Sequence, residues 1–138
     1  MEPAPISGND CQDNITRPLV LAVDDNEDNL VLLNQVLMLL GCSFISSKDG
    51  HSAILLAQSY QPDLILLDIM LPDLDGMEVV RQLKQDPQTR QIPVVAVTAM
   101  ARTEDRDRIL AAGCDDYIKK PYMIDGLEAT IRRFLFGD

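Results

Sequence analysis

The chain has 138 residues, of which 46% are hydrophobic and 25% are charged, and its formal net charge is −10. This length predicts one domain with a single core, and because aromatic residues make up only 4% of the chain, that core has to be aliphatic. The acidic charge argues against direct binding of nucleic acid, since affinity for phosphate backbones depends on clustered Lys and Arg.

The chain begins with a polar stretch, residues 1–17, whose low apolar content predicts a mobile tail ahead of a domain that spans residues 18–138. The tail lacks the basic start and apolar run of a secretory leader, and no segment approaches the roughly eighteen apolar residues of a membrane span. Cys11, Cys42 and Cys114 are far apart and form no Cys-x-x-Cys pair, so neither a disulfide framework nor a zinc site is predicted. We therefore expect a reduced, cytoplasmic protein without a membrane partner.

Short aliphatic runs alternate with segments of helical period along the rest of the chain. Strands are predicted at residues 19–23, 42–46, 64–68, 92–98 and 116–120. The first helix has Leu30, Leu33, Leu37 and Leu40 on one face and is stopped by Gly41. Further helices are predicted around residues 52–59, 77–85 and 103–112, and a last one has Ile124, Leu127, Ile131 and Leu135 on one face. Five strand-then-helix units predict an α/β fold, in which a doubly wound, five-stranded parallel sheet is covered by helices on both faces.

Polar residues stand where the predicted strands end, which is where ligands bind in open α/β sheets. The first strand ends in Asp24 and Asp25, the third in Asp68, the fourth in Thr98 and the fifth in Lys120. Carboxylates held close together repel each other unless a cation is present. Hard oxygen ligands on a partly hydrated site suit Mg²⁺, and a cation would also keep Asp68 ionised at the edge of the core.

The side chains of Lys120 and Thr98 are suited to binding an anion. Lys acts as a point-charge phosphate binder, and Thr can donate one hydrogen bond. Carboxylates, Mg²⁺, Lys and Thr together are typical of a phosphoryl-transfer site. Asp68 lies between metal and lysine in this arrangement, so its carboxylate can attack phosphorus and form an aspartyl phosphate.

Four segments, in this order along the chain, resemble the receiver domain of two-component response regulators. They are VDDNEDN at 23–29, LLDIMLPDLDG at 66–76, VTA at 97–99 and DDYIKKPY at 115–122. The resemblance covers about residues 18–137 and implies a flavodoxin-like, CheY-like sheet of strand order 2-1-3-4-5 with five helices. It also implies a single-domain phosphorelay protein that takes a phosphoryl group from the phosphohistidine of a sensor histidine kinase or phosphotransfer protein. Such a protein signals to a downstream protein target through a changed binding surface.

The same resemblance implies a metal site. It makes Asp25 a direct ligand of Mg²⁺, with Mn²⁺ as an alternative ion, and it makes Asp24 a ligand that acts more often through water. Asp68 and the backbone carbonyl of Met70 complete the protein's share of the metal shell.

For the reaction, the resemblance makes Asp68 the phosphoacceptor and Lys120, directly before Pro121, the catalytic lysine. Thr98 and Tyr117 become switch residues, which reshape the face made by the last two helices and the strand between them. The implied protein is not a conventional enzyme, because it is a phosphoacceptor that promotes its own phosphorylation and dephosphorylation.

Alternative interpretations of the chain stay open. A phosphatase using Asp68 as a transient nucleophile would need a cap or pocket for its substrate, and the chain has no insertion large enough for a cap. A binding scaffold that is never phosphorylated predicts damaged site residues, whereas every residue matching the motif is present. The chain could also be a receiver fragment of a larger regulator or hybrid kinase.

Residues near the motifs are interpreted more simply. Asp73 and Asp75 are predicted to be turn residues, because they follow Pro72 instead of an apolar strand and lack the ligand spacing of a calcium loop. His51 is predicted to have a capping or solvated role at a helix start.

Met70 and Met100 carry a separate hypothesis. They lie two residues after Asp68 and Thr98, where apolar side chains would overlook the phosphoryl site. Acidic or amide side chains at these two positions are predicted to change the lifetime of the phosphoryl group.

Overall fold

The computed structural model of the protein describes residues 17–99, 103–120 and 124–137, with the backbone alone for Thr103. Met100 and the predicted tail, apart from Arg17, lie outside the described residues.

Strands and helices alternate along the chain, as the sequence predicts. The strands are β1 (Leu19–Val23), β2 (Ser43–Ser47), β3 (Leu64–Asp68), β4 (Val94–Thr98) and β5 (Asp116–Lys119). The helices are α1 (Glu27–Leu39), α2 (Gly50–Tyr60), α3 (Gly76–Gln85), α4 (Thr103–Ala111) and α5 (Ile124–Phe136). Within the described residues, none of these helices is both long and apolar enough to cross a membrane.

The five strands form one parallel sheet in the order β2-β1-β3-β4-β5, which confirms the predicted fold. All five residues of β3 and all five of β4 are buried. Burial on both faces explains why these central strands are continuously apolar instead of alternating.

The core has two layers, one on each face of the sheet. One layer contains Leu21, Ile65 and Leu67 and is covered by side chains from α2, α3 and α4. The other contains Val20, Leu64 and Leu66 and is covered by side chains from α1 and α5. Successive strand residues therefore enter opposite layers, and both layers close over the central strands.

Side-chain caps set where three of the helices begin. The side chains of Asn26, Asp49 and Asp75 accept hydrogen bonds from the first-turn amides of α1, α2 and α3. Each satisfies one of the backbone donors that a helix leaves without a partner. Asp49 starts α2 at Gly50, two residues before the predicted start at Ser52.

Candidate functional site

The predicted site residues come together at the carboxyl edge of the sheet. Asp24 and Asp25 follow β1, Asp68 is the last residue of β3, and Lys120 follows β5. The parallel register sets this meeting point, because strands that run in the same direction end at the same edge.

Three carboxylates form a cluster there. One oxygen from each of Asp24, Asp25 and Asp68 lies within 4.8 Å of the other two. Asp24 and Asp68 are only 1% and 6% exposed, whereas Asp25 is exposed to solvent. The cluster therefore has two buried members and one that opens to solvent.

Both oxygens of Asp24 are held by neighbouring groups. The backbone N–H of Asn26 donates to Oδ1 at 2.9 Å, and the side-chain amide of Asn29 donates to Oδ2 at 3.2 Å. The Lys120 ammonium donates to the same Oδ2 at 3.0 Å. These contacts fix the orientation of Asp24 and occupy lone pairs that a metal ion would otherwise use. The Asp25 carboxylate, in contrast, makes no hydrogen bond or ion pair with any described residue.

Lys120 links two of the three carboxylates. Its Nζ lies 3.0 Å from Asp24 Oδ2 and 3.3 Å from Asp68 Oδ2. Burial alone would lower the pKa of Lys120, but the hydrogen bond with Asp24 and the charges of both acids raise that pKa above its ordinary value. The lysine is therefore charged throughout the physiological pH range.

The Asp68 carboxylate is held on both sides and is poorly hydrated. The backbone N–H of Met70 donates to Oδ1 at 3.0 Å, opposite the contact between Oδ2 and Lys120. Burial raises the pKa of Asp68, the Asp24 charge raises it further, and the Met70 hydrogen bond and Lys120 lower it only in part. The positive charge nearby therefore does not fully compensate the Asp68 carboxylate for its burial and for its repulsion by Asp24.

This charge imbalance fits a bound cation. Three carboxylates face one ammonium, so the cluster is negative even with Lys120 in place. Mg²⁺ is bound by carboxylate oxygens while it keeps several waters, and Asp25 offers an exposed carboxylate that is unpaired among the described residues. The residues present therefore fit Mg²⁺.

Thr98 and Tyr117 lie on the last two strands of the sheet. Thr98 is fully buried at the end of β4, and its carbonyl accepts a hydrogen bond from the Lys120 backbone N–H at 2.7 Å. Tyr117 in β5 is half-buried against the layer formed with α2, α3 and α4, and the Arg106 guanidinium lies 5.9 Å from the centre of its ring. Their switch roles stay predictions.

The loop after β3 contains both residues that were interpreted as turn residues. Asp75 caps α3, with its side chain accepting from the Met77 N–H at 2.9 Å. Asp73 reaches a different element, because its carboxylate accepts from the backbone N–H groups of Gly50 and His51 at the start of α2. The His51 ring also pairs with Asp73. Asp73 therefore joins this loop to the start of α2, a role that its interpretation as a turn residue did not include.

The sequence motifs predicted the charged groups of the site, but we did not predict the residues that orient them. Asn26 and Asn29 both donate to Asp24, and they stand three residues apart, with Asn26 also capping α1. A capping residue directly after an acidic pair is a signal that could have found Asn26. For Asp73 no local signal exists, because its partners are more than twenty residues away.

A family model described as the response regulator receiver domain matches residues 20–132. The chain belongs to this family. The resemblance carried by the four motifs is thereby confirmed, and the chain is a receiver domain of two-component signalling.

Relatives of similar length support this membership. The receiver domain is 43% identical over 119 residues to the polar-differentiation response regulators DivK of Brucella anthropi and Brucella abortus. These alignments cover 86% of this chain and 96% of each relative.

Solved structures are similar to the receiver domain over nearly their whole length. The chemotaxis response regulator CheY4 of Vibrio cholerae has a TM-score of 0.82 at 28% identity, covering 87% of this chain and 100% of that chain. The receiver domain of a Pseudomonas aeruginosa sensor histidine kinase was solved with a magnesium ion coordinated in its active site cleft. It has a TM-score of 0.81 at 32% identity, and the match covers 89% of this chain and 100% of that chain. The receiver domain of the Saccharomyces cerevisiae response regulator Ssk1 was solved with the histidine phosphotransfer protein Ypd1. It has a TM-score of 0.80 at 27% identity, and the match covers 86% of this chain and 88% of that chain.

Proposed function

We propose that this receiver domain accepts a phosphoryl group onto Asp68 from the phosphohistidine of a histidine kinase or phosphotransfer protein. The observation that carries the proposal is the position of Asp68 between Lys120 and two further carboxylates at the sheet edge. An Asp68 oxygen would attack phosphorus, the bond from phosphorus to the histidine nitrogen would break, and the electron pair would stay on the imidazole. The domain would act as a phosphoacceptor and not as a conventional enzyme.

Mg²⁺ is the proposed cofactor, with Mn²⁺ as a substitute. Asp25 would be a direct ligand, Asp24 would act through water because its oxygens are already engaged, and Asp68 and the Met70 carbonyl would complete the set. When bound, the ion supplies positive charge to the phosphoryl oxygens. Lys120 would supply the remaining charge from the protein, and Thr98 would donate a hydrogen bond to the phosphoryl group.

The exposed face of α1 is a suitable surface for the protein partner. Val31, Met38 and Leu39 on this face are 46%, 64% and 86% exposed, although the opposite face of the same helix is buried. Several large apolar side chains exposed together on one face mark an interaction surface. Because the Ssk1 receiver domain was solved with a histidine phosphotransfer protein, we propose that such a protein or a kinase covers this face here. The downstream target and the predicted cytoplasmic location stay predictions.

The test is the intact mass of the protein after incubation with acetyl phosphate, with and without Mg²⁺. One added phosphoryl group is expected in the wild type with Mg²⁺, and none in Asp68→Asn. Asp75→Asn is the matched control, because it removes a carboxylate from the same segment and keeps a residue that caps helices well.

The other outcomes assign the protein to the alternative classes. Continuous release of phosphate without an adduct would favour turnover, either by a phosphatase or by a receiver domain that rapidly dephosphorylates itself. An absence of both adduct and release would favour a binding scaffold that is never phosphorylated.

A further inference from the structure

A cavity of about 460 Å³ opens beside the phosphoacceptor cluster. Asp25 and Met70, both proposed to hold the metal ion, are also part of its lining. We call it the Met77 cavity, and Ile69, Leu71, Pro72 and Met77 form its apolar part. A volume of about 300 to 1,000 Å³ with mostly apolar walls and a few polar groups is typical of small-molecule sites.

Three apolar residues of the Met77 cavity, Ile69, Leu71 and Met77, pack against the core. Ile69 and Met77 are each only 3% exposed, and Leu71 packs against the core layer formed with α2, α3 and α4. The Gly76 N–H donates to the Ile69 carbonyl at 2.9 Å, which holds the start of α3 against the residue that follows β3. These three side chains are therefore held by the core, whereas the other five lining residues are exposed to solvent.

Arg108 is the positively charged residue among the described residues that line the Met77 cavity. Arg108 of α4 is exposed, and its guanidinium makes no ion pair or hydrogen bond with any described residue. Asp75, which also lines the cavity, accepts a hydrogen bond from the Met77 N–H at the start of α3. An arginine that has no partner among the described residues and stands next to apolar walls suits a ligand that combines a carboxylate oxygen with a hydrocarbon group.

We propose that the Met77 cavity receives the acyl group of a low-molecular-weight acyl phosphate with a chain longer than acetyl, used as a second phosphoryl donor. This inference rests on the proposed function of Asp68. The phosphoryl group would lie at the acidic cluster and Lys120, and the acyl chain would extend past Met70 against Leu71 and Met77. The volume exceeds what an acetyl group can fill, so the cavity selects for chain length.

The reaction is balanced without another reactant. An Asp68 oxygen attacks phosphorus, and the bond from phosphorus to the bridging acyl oxygen breaks. The electron pair leaves with that oxygen, so the products are the aspartyl phosphate and a free carboxylate next to Arg108. No proton is taken up or released, and the total charge is the same on both sides.

The experiment compares the rates at which intact protein gains a phosphoryl group from acetyl phosphate and from butyryl phosphate. Two more buried methylene groups correspond to a preference of up to about tenfold for butyryl phosphate. In Leu71→Asn the ratio of the two rates should fall toward about one, because a polar wall gives no gain for a longer chain. Using the ratio within each variant cancels changes in folding or metal binding.

Arg108 is tested separately. Arg108→Gln should slow the reaction with both donors, whereas Arg81→Gln, an exposed arginine of α3 outside the cavity, should change neither. Equal rates for the two donors in the wild type, or an unchanged ratio in Leu71→Asn, would overturn the assignment of the cavity. Failure with every donor would instead contradict the proposed role of Asp68.

A binding measurement covers the case in which Leu71→Asn does not fold. Methylphosphonate and pentylphosphonate are titrated into the ¹⁵N-labelled wild-type protein with Mg²⁺, and amide shifts are followed by NMR. Only the longer probe should shift the amides of Leu71 and Met77, and its four additional methylene groups should make it bind up to about a hundredfold more tightly. Identical affinities and shift patterns for the two probes would refute the proposal.

Discussion

Asp73 shows how one carboxylate stabilises two elements at once. It accepts backbone hydrogen bonds from Gly50 at 2.8 Å and His51 at 3.1 Å, and it pairs with the His51 ring. The Gly50 and His51 hydrogen bonds, which favour the charged carboxylate, lower the pKa of Asp73 from 3.8 to about 2. The charged form therefore favours the folded state.

The pH dependence of stability follows from this lowered pKa. The contribution of Asp73 is fully present above its unfolded pKa of 3.8 and is lost as pH falls toward about 2. Asp73→Asn should therefore be less stable than the wild type at neutral pH, and the difference should shrink across this acidic window. Urea unfolding at a series of pH values measures it, with Asp28→Asn, at an exposed position of α1, as the control. A difference that stays constant down to pH 2 would contradict the assignment.

The hypothesis on the phosphoryl lifetime concerns Met70 and Met100, and the structure describes Met70. Its side chain is 62% exposed and lines the Met77 cavity, while its backbone N–H holds Asp68. An amide at this position can position a water near the phosphoryl group, which the thioether cannot do well.

Met70→Asn is therefore expected to shorten the lifetime of the phosphorylated protein severalfold. The loss of the added phosphoryl mass over time measures this lifetime. Met38→Asn is the matched control, because Met38 is 64% exposed but lies on α1. An equal lifetime in all three proteins would remove the hypothesis.

At the scale of elements, α1 has two apolar faces with different uses. Leu30, Leu33 and Leu37 are buried against the sheet, whereas Val31, Met38 and Leu39 are exposed. The buried face stabilises the fold, and the exposed face is free to be covered by a partner.

Leu39→Gln tests the exposed face of α1. It should reduce phosphoryl transfer from a histidine phosphotransfer protein by about tenfold, the effect of losing one well-buried contact in an interface. Phosphorylation by acetyl phosphate should not change, because the residue is far from the chemistry in sequence and lies on the opposite side of α1 from the core. Leu55→Gln on α2, at 63% exposure, is the control. Equal rates of phosphoryl transfer to Leu39→Gln and Leu55→Gln would exclude the exposed face of α1 as the docking surface.

Two glycines at helix starts are predicted to respond in opposite ways to alanine. A Cβ at Gly126, in the first turn of α5, would meet no atom within 4 Å, so Gly126→Ala should stabilise the protein by about 1 kcal/mol. A Cβ at Gly76 would lie 2.5 Å from the Ile69 Cα, so Gly76→Ala should destabilise it by about 1 to 3 kcal/mol. Thermal unfolding measures both, and stabilisation by both variants would contradict the close approach at Gly76.

At the scale of the whole molecule, the acidic cluster concentrates part of a net charge of −10 at one edge of the sheet. A ligand that binds only the folded state stabilises it by mass action. Mg²⁺ at about a hundred times its Kd should therefore raise the free energy of unfolding by about 2.7 kcal/mol.

Removal of the ion with a chelator should reverse this gain, and Asp25→Asn should lose most of it. Thermal unfolding with and without Mg²⁺ measures the effect, with K⁺ at matched ionic strength as the control for screening. An equal gain in the wild type and in Asp25→Asn would exclude Asp25 as a ligand.

From the sequence alone, each strand was predicted to within two residues, together with the parallel sheet and the charged residues at its edge. Runs such as residues 64–68 are too continuously apolar for a half-exposed strand, so they predict a buried parallel sheet. Once the strands are parallel, Asp24, Asp68 and Lys120 lie at the same edge of the sheet, because each stands at or just after the carboxyl end of its strand. These conclusions depend only on local pattern and direction.

The packing of separate elements against each other sets how those residues are used. The tertiary structure shows that Asn29 and Lys120 share one oxygen of Asp24, that Asp73 binds the start of α2, and that Arg108 from α4 lines a cavity formed mainly after β3. Each of these features joins residues from separate elements through side-chain geometry. Hydrophobic period and spacing carry no information on such geometry, because it is set by how the helices pack on the finished sheet.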